Sequence, residues 1–437
     1  VHEALSWTVE NAICDAAIAA WATGLARRAE ELGIGERVEE LQATASWCTN
    51  RALGIGEVFD ATTGFLRGRR GDGSWSTSSL APERWGGDYT ETTAWGMSVS
   101  LPQDGALLAS LHGGEEALAR HLDRLLTTPE RADHRGGYRG IIHEMREARA
   151  LRLGQFALSN QPAHHISFMP LAAGQQWRSQ QLVRDALDRA FVGSEIGQGY
   201  PGDEDNGEMS AWWLFAAMGL YPLAPGSGGY VLGAPLTPMT WQRPEGTLSI
   251  TTRGTGHFVA SVTRNGEPWS ACSIGVEDLR GAVELCIELS DQPTAWGADS
   301  RPASLSTGPL GTAWGPHRRD RSALARLSGL PDHQARALMD DRGRQRVRLA
   351  AQTRLEAHWP EPWQPRLITL TTADMGPVRM TVTLLGPDDA PLDEVLVSRE
   401  VRWPDQTMPF ELPPVGEVSA LRLCLLDDVT LCQVEVY

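Results

Sequence analysis

The sequence predicts a multidomain α + β protein whose helical, loop-rich first half gives way to short alternating strands. Apolar and aromatic residues recur at helical spacing near the start, through Leu5, Val9, Ile13, Ala17 and Trp21. Beyond about residue 230 the period changes to that of strands, with runs at 247–252, 257–263 and 283–289. A stretch rich in Pro, Gly, Ser and Thr, 298–320, then precedes further strand-like runs at 366–371, 379–385, 394–401, 420–426 and 431–437. The expected division is therefore a helical domain over 1–229, β structure packed on it over 230–297, a linker over 298–320 and a β-sandwich over 321–437. A chain of 437 residues has room for two or three domains.

Each segment has its own signal. To about residue 222 the pattern is helical, broken at 33–35, 71–73, 113–114 and 136–137 by glycine pairs. Long helices alternating with loops rich in Gly, Trp and charge suit an α/α toroid whose loops at one end build a pocket. Residues 264–267 read RNGE, and Asn-Gly between two alternating runs is the signal of a tight hairpin. In the last segment, short strands between Pro-rich turns suit a sandwich. By analogy this is expected to be galactose-binding-like, either a carbohydrate-binding module using Trp359, Trp363 or Trp403 or a structural lid.

Composition narrows the function. A formal charge of −16 argues against a nucleic-acid partner, because phosphate binding needs an excess of cationic side chains. All 39 basic residues are Arg, a bias of the high-GC, actinobacterial type. The 16 Trp supply aromatic faces of the kind on which sugar rings stack. No apolar run approaches the roughly 18–20 residues that span a bilayer, and no leader pattern opens the sequence. Helical periodicity from the first residues suggests a chain that begins inside a domain, as the C-terminal portion of a longer protein. The six Cys fall as neighbours in sequence, Cys14 with Cys48, Cys272 with Cys286 and Cys424 with Cys432, and are expected to form disulfides in an exported protein.

Chemistry concentrates in 199–236, GYPGDEDNGEMSAWWLFAAMGLYPLAPGSGGYVLGAPL. Gly199, Pro201 and Gly202 fix a turn carrying Asp203, Glu204 and Asp205, and an aromatic-rich helix follows at once, so the carboxylates are held at defined angles. This stretch resembles the signature of glycoside hydrolase family 92, calcium-dependent, inverting, exo-acting α-mannosidases, in which G-(N/D)-(D/E)-D-x-G-x-M-S-A-W carries the catalytic base. Other blocks agree in order: GFLRGRRGDGSW (64–75), DYTETTAW (88–95), LPQDGALLASLHGG (101–114), HEM (143–145) and GQFALSNQPAHHISFMPLAAGQQW (154–177). HFVASVTRNGEPW (257–269) and PTAWG (293–297) extend the likeness across roughly 1–298.

The resemblance implies an (α/α)6 barrel preceded by a β-sandwich. This chain starts after the sandwich and the first barrel helices, so an incomplete toroid is expected, with that N-terminal portion as its partner. It also implies Asp205 as general base, with Asp203 orienting the water or sharing its proton. Inverting hydrolysis needs such a base and a separate acid, their carboxyls roughly 6.5–9.5 Å apart. Glu91 is the best carboxylate for the acid, because walls of Tyr89 and Trp95 would raise its pKa. Relatives more often read E-G-N where Thr92 and Thr93 follow here, which puts the usual mannoside acceptor in question. Glu144 is a further acid candidate, although sugar binding is its preferred role, together with His143, Trp95, Arg67 and His164. Asn160 and Gln161 in SNQP are expected to hold calcium, since amide oxygens are hard ligands; Gln161 stands where some relatives have Glu.

Three functions follow in order of preference. The first is a secreted, calcium-dependent exo-α-mannosidase acting on mannose-containing glycans. The second is an uncapping enzyme for mannose-1-phospho-6-mannose, since a phosphate leaves without needing a proton. The third is a lectin-like binder that has lost catalysis, against which the retention of both Asp203 and Asp205 argues.

Overall fold

The computed structural model describes residues 3–191 and 199–437. Two compact units emerge: Val1–Ala17 with Ile55–Gly315, and Ile18–Gly54 with Pro316–Tyr437. Helix α1 (Ala4–Glu31) runs through the division, and α2 (Gly35–Leu53) belongs to the second unit.

In the first unit a hairpin of two short strands, β1 (Phe59–Asp60) and β2 (Phe65–Leu66), is followed by short helices between long loops. These are α3 (Ala94–Met97), α4 (Gly105–His112), α5 (Glu115–Thr127) and α6 (His143–Leu151), then α7 (Gln176–Ala190) and α8 (Glu208–Met218). Local chemistry sets their ends. The Asp104 carboxylate accepts from the Leu107 N–H at 3.0 Å to cap α4, and Gly113 ends it with φ 91°. Helix α5 then starts with Glu115 and Glu116 at its positive end and buries Leu118, Leu122 and Leu125 along one face. Each such leucine contributes roughly 1.5–3 kcal/mol by leaving water. Between 67 and 93 there is no helix, so this part is less helical than the sequence pattern suggests.

The β part of this unit has two sheets. Strands β3 (Leu220–Tyr221), β4 (Gly229–Leu232) and β9 (Ser273–Gly275) form one, in the order β3-β4-β9. The other has the order β5-β6-β10-β7-β8, from β5 (Met239–Arg243), β6 (Gly246–Gly254), β7 (Phe258–Arg264), β8 (Glu267–Pro268) and β10 (Val283–Ser290). Strand β10 runs parallel to β6 and antiparallel to β7. The turn expected at RNGE joins β7 to β8, with φ of 51° at Asn265 and 86° at Gly266, both left-handed as the tightest hairpins require. Of the stretch 298–320, expected as a linker, the part to Gly315 carries helix α9 (Pro309–Trp314) and is bonded back to this unit, and Pro316 opens the last segment of the second. Arg301 pairs with Glu115 at 2.7 Å, and Ser306 donates through its N–H and hydroxyl to Asp104 at 2.9 and 2.7 Å.

The second unit contains two antiparallel sheets. One has the order β11-β13-β18-β15-β16: β11 (Arg326–Ser328), β13 (Arg354–Trp363), β18 (Val418–Leu425), β15 (Gly376–Leu385) and β16 (Pro391–Val401). The other has β12 (Val347–Leu349), β19 (Val429–Val436), β14 (Leu367–Thr372) and β17 (Gln406–Glu411), in the order β12-β19-β14-β17. A short helix, α10 (Asp332–Leu338), precedes them. Leu355, Met380 and Leu423 of the first sheet share one core with Ile368, Leu370 and Leu431 of the second, which makes this a β-sandwich. Trp359 is packed away with its indole N–H on the Arg321 carbonyl, and Trp363 stands edge-on to it, so of the three tryptophans expected to meet carbohydrate Trp403 is the exposed one.

All six cysteines are free thiols, and the expected disulfides do not form. Two of the pairings are separated by the sheets themselves. Cys424 lies on β18 and Cys432 on β19, in opposite sheets, and the Cys432 thiol donates to Asp405 at 3.6 Å. Cys272 adjoins β9, whereas Cys286 is on β10 of the other sheet.

Candidate active site

The acidic turn is held against helix α6 by the absence of one side chain. A Cβ on Gly202 would fall 2.5 Å from the Ser159 carbonyl oxygen and 2.9 Å from a Glu147 carboxylate oxygen, so only glycine lets the turn approach. Asp205, Asn206 and Gly207 then follow with φ of 55°, 59° and 99°, three successive left-handed residues that reverse the chain into α8. Glu204 serves that reversal. Its carboxylate accepts from the Ser210 hydroxyl at 2.7 Å, the Gly207 N–H at 2.7 Å and the Ser210 N–H at 3.2 Å, and these bonds, the Ser210 hydroxyl first, lower its pKa. Asp203 and Asp205 are left exposed.

A second group of side chains faces them from α6. His143 opens this helix with Nε2 3.1 Å from Glu144 and Nδ1 3.1 Å from Glu147, one turn on. Burial works against a charge on His143, but the Glu147 hydrogen bond and the charges of Glu144, Glu147 and Asp203 prevail and raise its pKa. Glu144 is buried, and its pKa is raised by that burial first and by the charges of Glu91 and Glu147, against its own backbone N–H and His143. One carboxylate oxygen of each of Glu144 and Glu147 is buried without a hydrogen-bond partner.

Asn160 and Gln161 join the loops. The Asn160 amide donates to the Glu91 carboxylate at 3.1 Å and to the Glu91 carbonyl at 3.2 Å. Gln161, the next residue, donates through Nε2 to the Asp205 carboxylate. Glu91 is itself left-handed, φ 51°, with its N–H on the Tyr138 hydroxyl at 2.7 Å. His164, buried at the end of the 3-10 turn Gln161–Ala163, places Nδ1 3.0 Å from Glu208; that hydrogen bond first, then the His164 charge and Gln161, lower the Glu208 pKa against its partial burial.

Eight of the residues singled out in sequence thus form one connected cluster: Glu91, His143, Glu144, Asn160, Gln161, His164, Asp203 and Asp205. Trp95 and Arg67 are not brought to it. Trp95 is 3% exposed, its ring edge-on to Phe65 at 4.8 Å and beside His121. Arg67 is 5% exposed, paired with Asp60 at 2.6 Å and bonded to the Thr77 carbonyl. Tyr89 is likewise spent, its hydroxyl donating to the Leu66 carbonyl at 2.9 Å. The aromatic wall expected around Glu91 is therefore turned into the core, and Glu91 is exposed. Two carboxylates were missed: Glu147, which its i, i+4 relation to His143 would have found, and Glu208, whose partners lie tens of residues away in sequence.

Among the described residues, no three His, Cys, Asp or Glu side chains are gathered as ligands of a metal ion. The donor chemistry nonetheless fits a hard cation. The Asp205 carboxylate lies on the Gln161 amide, that of Glu91 on the Asn160 amide, and the oxygens of Asn160 and Gln161 are of the kind calcium takes.

A model of the glycosyl hydrolase family 92 catalytic domain matches residues 1–291. Among solved structures, the fold is similar to that of a family 92 inverting mannosidase from Bacteroides thetaiotaomicron. The two are 30% identical with a TM-score of 0.57 over 70% of this chain and 40% of that one. A second family 92 α-mannosidase of that organism, in complex with mannoimidazole, is 25% identical with a TM-score of 0.57 over 69% of this chain and 39% of that one. An uncharacterized secreted glycosidase of Arthroderma benhamiae is 23% identical over 228 residues, 50% of this chain and 26% of that protein. The chain thus spans between 26% and 40% of the length of these relatives.

Proposed function

We propose that this chain, which belongs to glycosyl hydrolase family 92, forms part of a secreted, calcium-dependent, inverting exo-α-mannosidase that removes terminal α-mannose from glycans. The observation that carries this reading is the pair of neighbours Asn160 and Gln161, which hold the carboxylates of Glu91 and Asp205 respectively. Two acids from distant loops are thereby tied to adjacent residues, as a reaction with separate acid and base requires.

Asp205 acts as the base, exposed and aimed by the Gln161 amide, and takes the proton of the attacking water. Asp203, two residues before it, orients that water. Glu91 gives its proton to the leaving oxygen. Glu144, with its unpartnered oxygen, and His143 and His164 hold sugar hydroxyls. Asn160 and Gln161 would hold calcium, which when bound polarises vicinal hydroxyls and offsets the carboxylate charge. The remaining barrel helices and a β-sandwich come from the N-terminal portion of the enzyme. Trp7, 65% exposed on α1, supports a partner there. Export is supported by the secreted relative, and no helix among the described residues is long and apolar enough to cross a membrane.

One observation favours the phosphate-uncapping alternative: Glu91 is exposed, with no Tyr89 and Trp95 wall, and a phosphate leaving group needs no proton. The test is hydrolysis of an alkyl α-mannoside and of a mannosyl phosphodiester, each with and without chelator. The mannosidase reading expects turnover of the alkyl mannoside with inversion, lost on chelation and restored by calcium. Turnover of the phosphodiester alone would establish the uncapping reading, and mannose binding without turnover of either would leave a lectin.

A further inference from the structure

We infer that Glu147 is a positioning residue that fixes the His143 ring beside Glu144 for sugar binding; this rests on the reading of His143 and Glu144 as sugar ligands. Glu147 lies one turn along α6 from His143, the i, i+4 spacing that puts two side chains on one helix face. Its Oε1 sits 3.1 Å from His143 Nδ1, while His143 Nε2 sits 3.1 Å from Glu144 Oε1. Both ring nitrogens thus face carboxylates, and both can donate only in the imidazolium form. With Nδ1 spent on Glu147, Nε2 is the nitrogen left to share between Glu144 and a sugar hydroxyl. A donor and an acceptor then stand side by side, which suits adjacent hydroxyls of one pyranose.

An ordinary ion pair on a helix surface would leave its carboxylate in water. Here the second Glu147 oxygen is buried without a hydrogen-bond partner, and a Cβ on Gly202 would come within 2.9 Å of it. Glu147 is therefore wedged beneath the turn that carries Asp203 and Asp205, at a desolvation cost that helix stabilisation alone does not explain. The His143 side chain is 58% exposed against 22% for Glu147, so the carboxylate is the fixed member and the ring is the one held. His143 is also the first residue of α6, the end at which the helix dipole disfavours a cation. Desolvation works against its charge too. The Glu147 hydrogen bond and then the charges of Glu144, Glu147 and, from the acidic turn, Asp203 outweigh both and keep the ring protonated to higher pH than an ordinary histidine.

The test is Glu147→Gln, which keeps the size and an acceptor for Nδ1–H but removes the charge, made in the intact enzyme with saturating calcium. The His143 ring is followed by NMR of isotopically labelled histidine, its resonance identified by its loss in His143→Asn. Mannose affinity is measured at about pH 5.5 and about pH 7.5, beside kcat and KM on an activated aryl α-mannoside. In Glu147→Gln the ring should titrate at lower pH than in the wild type. Affinity should weaken about three- to tenfold at the higher pH, where the variant's ring has lost its proton, and stay within about 1.5-fold at the lower, where both rings are charged. KM should follow affinity, with kcat within about twofold. An unmoved His143 titration, or an equal loss of affinity at both pH values, would overturn the inference and leave the mannosidase reading standing. Mannose binding without turnover in the wild type would sink that reading alone, the titration and the affinities still deciding the inference. A wild type that neither binds nor turns over mannosides sinks both. Thermal melts within a few degrees of one another exclude unfolding as the cause of any loss.

Discussion

Three acids of the sandwich unit and the acids of the candidate site are held in opposite ways. In the sandwich unit these three are matched by guanidinium groups: Arg379 meets Asp427 with two bonds of 2.7 and 3.0 Å, Arg422 meets Glu356 at 2.6 Å, and Arg346 meets Asp405 at 3.2 Å. In the candidate site, none of Glu91, Glu144, Glu147, Asp203, Asp205 and Glu208 has an arginine ion pair among the described residues. Their partners are His143, His164 and the amides of Asn160 and Gln161. Since the chain carries 39 arginines, this is placement and not scarcity. A guanidinium fork fixes a carboxylate in its charged form, whereas an amide or imidazole orients it and leaves it able to take a proton or face a cation. Carboxylates gathered without guanidinium are thus the better guide to the site than carboxylates as such.

The largest expected effect tests that contrast directly. Asp205→Asn keeps the shape and removes the proton acceptor, so kcat should fall about 10²-fold or more on every substrate while mannose binding stays measurable. Asp427→Asn, made on the other side of the contrast, should leave kcat within about twofold. A loss for Asp427→Asn as large as that for Asp205→Asn would erase the distinction.

Next comes Glu91→Gln, whose effect should depend on the leaving group. An alkyl alkoxide needs the proton, and the loss there should be about 10²–10⁴-fold; a mannosyl phosphate should lose little. Equal losses on both would make Glu91 a sugar-binding residue and move the acid to Glu144, whose carboxyl burial pushes up in pKa.

Strands were legible in the sequence where alternation ran undisturbed, and were missed where proline interrupted it. Strand β13 contains Pro360 and Pro362, and its pairing with β18 shifts register between His358 and Trp363, where the prolines fall. Strand β17 contains Pro409 and lies at a sheet edge, where a missing N–H is tolerated. In the site, residues carried by contiguous motifs were legible, including both Asp203 and Asp205. Trp95 and Arg67 lie in equally contiguous motifs but are buried by contacts to Phe65 and Asp60 that no local spacing reveals. Glu208 escaped for the complementary reason. In sequence it is an ordinary acid in a helix's first turn, and only folding brings it to His164.

The smallest expected effect is a pH dependence on the sandwich side. Asp341 departs from the arginine-paired pattern there. Partial burial, then a hydrogen bond to Asp320, then the charges of Asp320, Glu435 and Asp340 raise its pKa to about 7. Asp320 is committed elsewhere, accepting the Ser322 N–H at 2.9 Å and the Val436 N–H at 2.8 Å, so the shared proton falls to Asp341. Between the usual aspartate pKa, about 4, and about 7, the folded chain holds a proton that the unfolded chain has released. Stability should therefore decline as pH rises through that window, the reverse of what an arginine-paired carboxylate gives. Asp341→Asn keeps a hydrogen-bond donor to Asp320 without titrating. Its melting midpoint should therefore fall less than that of the wild type between pH 4.5 and 7.5, by about 2 °C, since the residue is only partly buried. Parallel wild-type and variant curves would show that Asp341 titrates as it does in the unfolded chain.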